Sequence, residues 1–333
     1  MTAWAELHVH LEGTLEPELI FALARRNGLS LPYADIAELR SRYDFGDLQE
    51  FLDLYYANMT VLLHREDFAD LTHAYLARAA RAGVRRAEVF FDLQAHTGRG
   101  ISASEALEGV NDALSRSYER YGISSGLIVT MLRHLSADSA MQAYEQALAS
   151  GVPLLGIGLC STEVGNPASR FTEVFARAQA DGLHTVAHAG EEGDASYVRD
   201  VLDNLRVERV DHGVRAVGDP ALIDRLVAER VPLTVCPLSN VRLKGIPDLR
   251  LHPLAELLRR GVKVTVNSDD PAYFGGYLDD NVDAVRAALD LTDEEIRTLA
   301  LNSIDASFAS PEVKAELAAT WGSMAVEGPT GQR

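Results

Sequence analysis

Short apolar segments rich in β-branched residues recur along this chain, each followed by a longer stretch whose apolar residues return every three or four positions. The first pattern suits a strand buried on both faces and the second a helix packing one face, so their alternation predicts parallel strands joined by crossover helices. Strands are read at 6–9, 86–91, 126–131, 154–159, 185–188, 209–212, 233–236 and 262–267, with helices such as 102–121 and 220–230 between them. Eight β/α units in series predict an α/β fold, the (β/α)8 TIM barrel. Two regions exceed a minimal barrel: an insertion after strand one, 16–81, and extra C-terminal helices over about 281–321. The apolar stretch 48–63 of the insertion is expected either to roof the site or to pack against the barrel. A single domain over 1–333 is expected, with a frayed tail at 322–333, where Gly, Pro and polar residues gather.

Charge narrows the partners. A net charge of −18, from 31 basic and 49 acidic residues, repels phosphate backbones and anionic bilayers, so neither nucleic acid nor membrane is an expected partner. No run of about 18 apolar residues is present, and no basic segment precedes an apolar one at the N-terminus. The two cysteines, Cys160 and Cys236, belong to no CxxC pair, which gives no disulfide framework and fits a reducing compartment. A soluble cytoplasmic protein acting on a small molecule is expected, its oligomeric state open.

The chemistry is written at strand ends. In His8-Val9-His10 the intervening residue puts two imidazoles on one face of strand one. Polar clusters then close strands five, six and eight: His188-Ala189-Gly190-Glu191, Asp211-His212-Gly213 and Asn267-Ser268-Asp269-Asp270-Pro271. The C-terminal ends of barrel strands meet at one mouth, so residues remote in sequence are expected to converge there. Of the other histidines, His64 and His73 fall in helices, and His134, His184 and His252 are expected to be structural, while His96, just after strand two, is open between the two readings.

His8, His10, His188 and Asp269 make a ligand set suited to one zinc ion with a position left for water. A second ion in such barrels is commonly bridged by a carboxylated lysine, and of the three lysines none stands at a strand's C-terminal end, where strand four finishes Leu159-Cys160. Zinc lowers the pKa of bound water to about 7, supplying hydroxide to attack an electron-poor carbon. Glu191 is placed to protonate a ring nitrogen beside that carbon, His212 to orient the hydroxide, and Asp270 to take a hydrogen bond from the substrate. Glu191, His212 and Asp269 form the expected catalytic group.

These blocks, together with Leu7-His8-Val9-His10-Leu11-Glu12-Gly13, resemble the signatures of the adenosine/adenine deaminase family over essentially the whole chain. Phe90-Phe91-Asp92-Leu93-Gln94-Ala95-His96-Thr97-Gly98-Arg99-Gly100, Ser161-Thr162-Glu163-Val164-Gly165-Asn166-Pro167 and Cys236-Pro237-Leu238-Ser239-Asn240 are similar to its adenine branch. The resemblance implies deamination of a 6-aminopurine, adenine to hypoxanthine, with zinc on His8, His10, His188 and Asp269, proton transfer by Glu191 and purine N7 contacted by Asp270. Asp270, Glu12, Gly13, Ser161, Glu163 and His96 are the expected substrate-facing set. A free base carries an N9–H where a nucleoside carries its sugar, so an acceptor is expected at that edge, and Glu163 or Ser161 is assigned to it. The adenine branch usually has Asp where this chain has Cys160 and Pro where it has Leu93, which leaves the purine open between adenine, adenosine and modified relatives. A buried, inert thiol is expected of Cys160. A cyclic amidohydrolase and an inactive binding barrel are the more distant alternatives.

Overall fold

The computed structural model describes residues 2–322. Eight strands, β1 Trp4–His10, β2 Val84–Phe91, β3 Ser124–Leu132, β4 Gly156–Cys160, β5 His184–Ala189, β6 Arg209–His212, β7 Leu233–Val235 and β8 Val264–Val266, pair in parallel and in sequential order. The seam between the last strand and the first is closed by Asp269, whose N–H donates to His8 O at 3.0 Å and whose carbonyl accepts from His10 N at 2.9 Å. One turn below, Asn267 Oδ1 accepts from Leu7 N at 2.9 Å, a side chain standing in for a backbone rung. The fold is a (β/α)8 TIM barrel.

Alternation along the strands fills the lumen in layers. At the N-terminal end Arg86, Glu88 and Arg209 are buried together, Glu88 accepting from both guanidinium groups. Phe90, Ile128 and Val186 form an apolar layer above them. Phe90 in turn supports the imidazoles, its ring 5.1 Å from His8 and 5.2 Å from His10. The outward residues of the strands, among them Leu7, Val9, Val89 and Val210, enter the core shared with the helices.

The insertion folds as helices Pro17–Arg26, Ile36–Ser41, Leu48–Asn58 and Arg65–Arg81, the last being the crossover to β2. Asp47 caps the third through Glu50 N, and this helix ends at Asn58 in a short 3-10 turn, Met59–Val61, rather than running to 63. The expected helix 102–121 is two, Ala103–Leu114 and Ser117–Tyr121, because Arg116 leaves helical geometry at φ −108°. C-terminal helices Leu278–Ala288, Asp293–Ala306 and Pro311–Gly322 seal the N-terminal end, where Trp321 Nε1 donates to Ala3 O and the Trp4 and Trp321 rings meet edge to face at 5.5 Å. Gly322 thus belongs to the final helix, not to a tail; the rest of the expected tail, 323–333, lies outside the described residues. Among the described residues no helix is long and apolar enough to cross a membrane.

Candidate active site

The strand ends converge as their spacing implies. His8 Nε2 lies 3.1 Å and His10 Nε2 3.6 Å from Asp269 Oδ1, and His10 Nε2 is 3.1 Å from His188 Nε2. Each of the three imidazoles turns Nε2 toward another member of this set, with an oxygen on its Nδ1 side. His8 Nδ1 donates to Thr234, at 3.1 Å from its carbonyl and 3.0 Å from its hydroxyl oxygen. The Thr234 hydroxyl donates onward to Asp211 Oδ1 at 2.7 Å, Asp211 Oδ2 faces His188 Nδ1 at 3.4 Å, and Asp92 Oδ1 faces His10 Nδ1 at 3.6 Å. Outer partners of this kind set the tautomer and aim of metal-binding imidazoles.

A divalent cation fits this donor set. Burial alone would lower the His10 pKa, but Asp270, Asp92 and Asp269 raise it to about 10, whereas burial and the neighbouring His8 drive His188 down to about 4. His212 also stands within 4.8 Å of the cluster formed by His8, His188 and Asp269, yet it is wired differently. Asn240 Nδ2 donates to His212 Nδ1 at 3.3 Å, while Asn240 Oδ1 accepts from His252 Nε2 at 3.1 Å. His252 Nδ1 in turn accepts from Leu254 N at 3.1 Å. Each link fixes the next, so the hydrogen-bond pattern puts the His212 proton on Nε2, facing Glu191 Oε2 at 3.5 Å and Asp269 Oδ2 at 3.8 Å.

Glu191 follows β5 in a loop whose four successive amides, Gly190, Glu191, Glu192 and Gly193, all donate to the Glu163 carboxylate at 2.6–3.2 Å. Gly190 adopts φ +68°, and a Cβ there would sit 2.7 Å from Val198, so only glycine lets the loop turn. Burial, then Asp269, Glu192 and Glu163, hold the Glu191 carboxyl well above the usual range.

These groups border one pocket at the mouth of the barrel. Helix Leu48–Asn58 covers it with Leu48, Phe51, Leu52, Tyr55 and Tyr56, so this part of the insertion is a roof, and Phe274 and Leu243 complete the apolar wall. With this geometry, the chain matches the adenosine deaminase family over residues 4–321. The chain belongs to that family.

Among its relatives, the adenine deaminase of Streptomyces coelicolor is 59% identical, covering 91% of this chain and 89% of its own. That of Rhodospirillum rubrum is 54% identical, covering 94% and 93%. The crystal structure of adenine deaminase from Arthrobacter aurescens superposes with a TM-score of 0.96 at 55% identity, covering 97% and 99%. An amidohydrolase from Burkholderia ambifaria with bound zinc reaches 0.89 at 28% identity, covering 97% and 90%. The chain is thus a hydrolytic deaminase acting on C–N bonds, with a candidate His/Asp metal site at the mouth of its barrel.

The expected substrate-facing set divides. Asp270 lines the pocket, its Oδ1 buried and without a hydrogen bond, and Ser161 borders it beside Cys160. The other assignments need correction. Glu163 is buried with both carboxylate oxygens on loop amides, so it positions Glu191 instead of facing a ligand. Glu12 and His96 pair with each other at 2.8 Å behind the wall, Glu12 also accepting from Asp92 N. Gly13 makes room: a Cβ would come within 2.0 Å of Asp270 Oδ1.

Three non-glycine residues at the mouth, Ser161, His212 and Asp269, have φ of 77°, 63° and 62°, a left-handed strain that strand-end site residues carry when their surroundings enforce it. Among the remaining histidines, His64 caps helix Arg65–Arg81 instead of lying within it, His73 sits in that helix, and His184 pairs with Glu208 at 2.9 Å. His134 Nδ1 lies 2.8 Å from Ser161 Oγ on the rim, and His252 supports the site as described. Cys160 is buried as expected, its thiol donating to Asp92 Oδ1 at 3.5 Å, and burial and Asp92 push its pKa up, which favours the thiol over the thiolate. Asp92, Tyr55, Asn240, Thr234 and Asp211 received no role from sequence, although Asp92 lies in the block from Phe90 to Gly100 and follows β2 on the inner face, two residues past Phe90.

Proposed function

We propose that this protein hydrolyses the 6-amino group of adenine, giving hypoxanthine and ammonia. The observation that carries the reading is a roofed pocket with the three-imidazole, one-carboxylate cluster as floor and Glu191 at its side. The names of the relatives that cover nearly the whole chain at 54–59% identity support adenine as the substrate.

His8, His10, His188 and Asp269 hold one zinc ion in this reading, supported by the turn of each imidazole's Nε2 toward another of the four and by the zinc in the Burkholderia ambifaria relative. When bound, the ion supplies the Lewis acidity that makes water a nucleophile at neutral pH. Glu191 protonates the ring nitrogen beside the amino-bearing carbon, drawing electrons from that carbon as oxygen arrives. His212, its Nε2–H turned toward Asp269 and Glu191, orients the incoming oxygen. Asp270 contacts N7, and the space that Gly13 leaves keeps it there. The apolar roof excludes bulk water while the C–N bond breaks and ammonia departs.

The test is a substrate series followed by the ultraviolet change and by ammonia release, alongside metal analysis. Adenine is expected to be turned over with one zinc per chain and adenosine to be a poor substrate; adenosine with the higher kcat/KM would overturn the assignment. Glu191→Gln is expected to lower kcat by about 10²–10⁴-fold with metal content unchanged.

A further inference from the structure

Resting on that reading, we infer that Asp92 is the residue that selects a free base over a nucleoside, by accepting the N9–H of adenine. A base-specific pocket needs an acceptor at the edge where a nucleoside carries carbon, and Glu163, the loop carboxylate assigned to it from sequence, has its oxygens on backbone amides. Four carboxylates border the pocket: Asp92, Glu191, Asp269 and Asp270. The last three serve the reacting carbon, the ring nitrogen beside it and N7. Asp92 is the one without such a task, and it stands across one imidazole ring from the cluster, since His10 faces Asp92 through Nδ1 and Asp269 through Nε2.

The surroundings of Asp92 engage one of its oxygens more fully than the other. Oδ1 accepts from the Thr130 hydroxyl and the Cys160 thiol and faces His10. Oδ2 has one donor, the hydroxyl of Tyr55 at 3.1 Å, on the helix that roofs the pocket. A carboxylate oxygen takes two donors, so Oδ2 has a place for one ligand N–H. An N9 substituent removes that donor and leaves a buried acceptor facing carbon, and sites built to hydrogen-bond a substrate reject analogues that cannot respond. Tyr55 ties the same oxygen to the roof, so a bound base and the closed roof share one acceptor.

The experiment compares adenine with 9-methyladenine, in the wild type and in Asp92→Asn and Asp92→Ser, with zinc content measured in each. The wild type is expected to prefer adenine by at least roughly 10³-fold in kcat/KM. Both variants are expected to lose up to about 10²-fold on either substrate through His10 and, on adenine alone, about a further 10²-fold, so that the preference collapses. An equal fall on both substrates, with or without loss of zinc, overturns the inference, since Asp92 would then serve only to aim His10. Wild-type turnover of 9-methyladenine as fast as adenine overturns it too, even if neither variant folds. In both cases the adenine reading survives; a wild type inactive on adenine would take down both.

Discussion

At the scale of single residues, the site is governed by which nitrogen of a ring holds the proton. Asn240 presents its amide NH2 to His212 because its carbonyl is taken by His252. Asn240→Asp keeps the shape and replaces the donor with an acceptor, which pulls the His212 proton to Nδ1. A wrong tautomer in a catalytic histidine is costly, so kcat is expected to fall about 10²–10⁴-fold with zinc content retained; a change under threefold would show that the relay does not set the tautomer. Glu163→Gln tests the loop. An amide nitrogen cannot accept, so at least one of the four donors loses its partner, at a cost of about 1–3 kcal/mol in denaturation experiments. Adenine and any slower purine substrate are expected to lose kcat by the same factor, since Glu163 acts through Glu191 and not through the ligand.

At the scale of elements, β2 and β6 are locked by the buried pair of Glu88 and Arg209, which the Phe308 ring covers at 4.1 Å. Burial would raise the Glu88 carboxyl, but Arg209 and Arg86 outweigh it and hold the pKa below the ordinary 4.5. A depressed carboxylate contributes stability that is fully present above its unfolded pKa and is lost as pH falls through the folded one. The wild type is therefore expected to weaken progressively below about pH 4.5, and Glu88→Gln to flatten that slope while costing about 3–5 kcal/mol at pH 7; denaturant titrations across pH measure both. The elements themselves were legible in sequence because two periodicities alternate, and His8, His10, His188 and Asp269 because each stands where a strand must end. What was not legible is the direction a loop side chain takes. Glu163 and Asp92 are both acids just past a strand, and only packing decides that one turns to backbone amides and the other borders the pocket. Likewise the break at Arg116 and the left-handed turns at Ser161, His212 and Asp269 leave no periodic trace, since tertiary contacts enforce them.

At the scale of the molecule, the barrel is stitched shut through the backbone of Asp269, between the carbonyl of His8 and the amide of His10. Chelation of the proposed zinc is expected to lower the melting temperature and to speed amide exchange at His10 and Asp269 more than in β2 and β3, with zinc restoring both. Uniform exchange along all eight strands would show the seam to be indifferent to the ion. With the proposed ion in place one residue would be both clasp and ligand, so that the hydrogen bonds that close the hoop also set the distance between a carboxylate and the two imidazoles beside it.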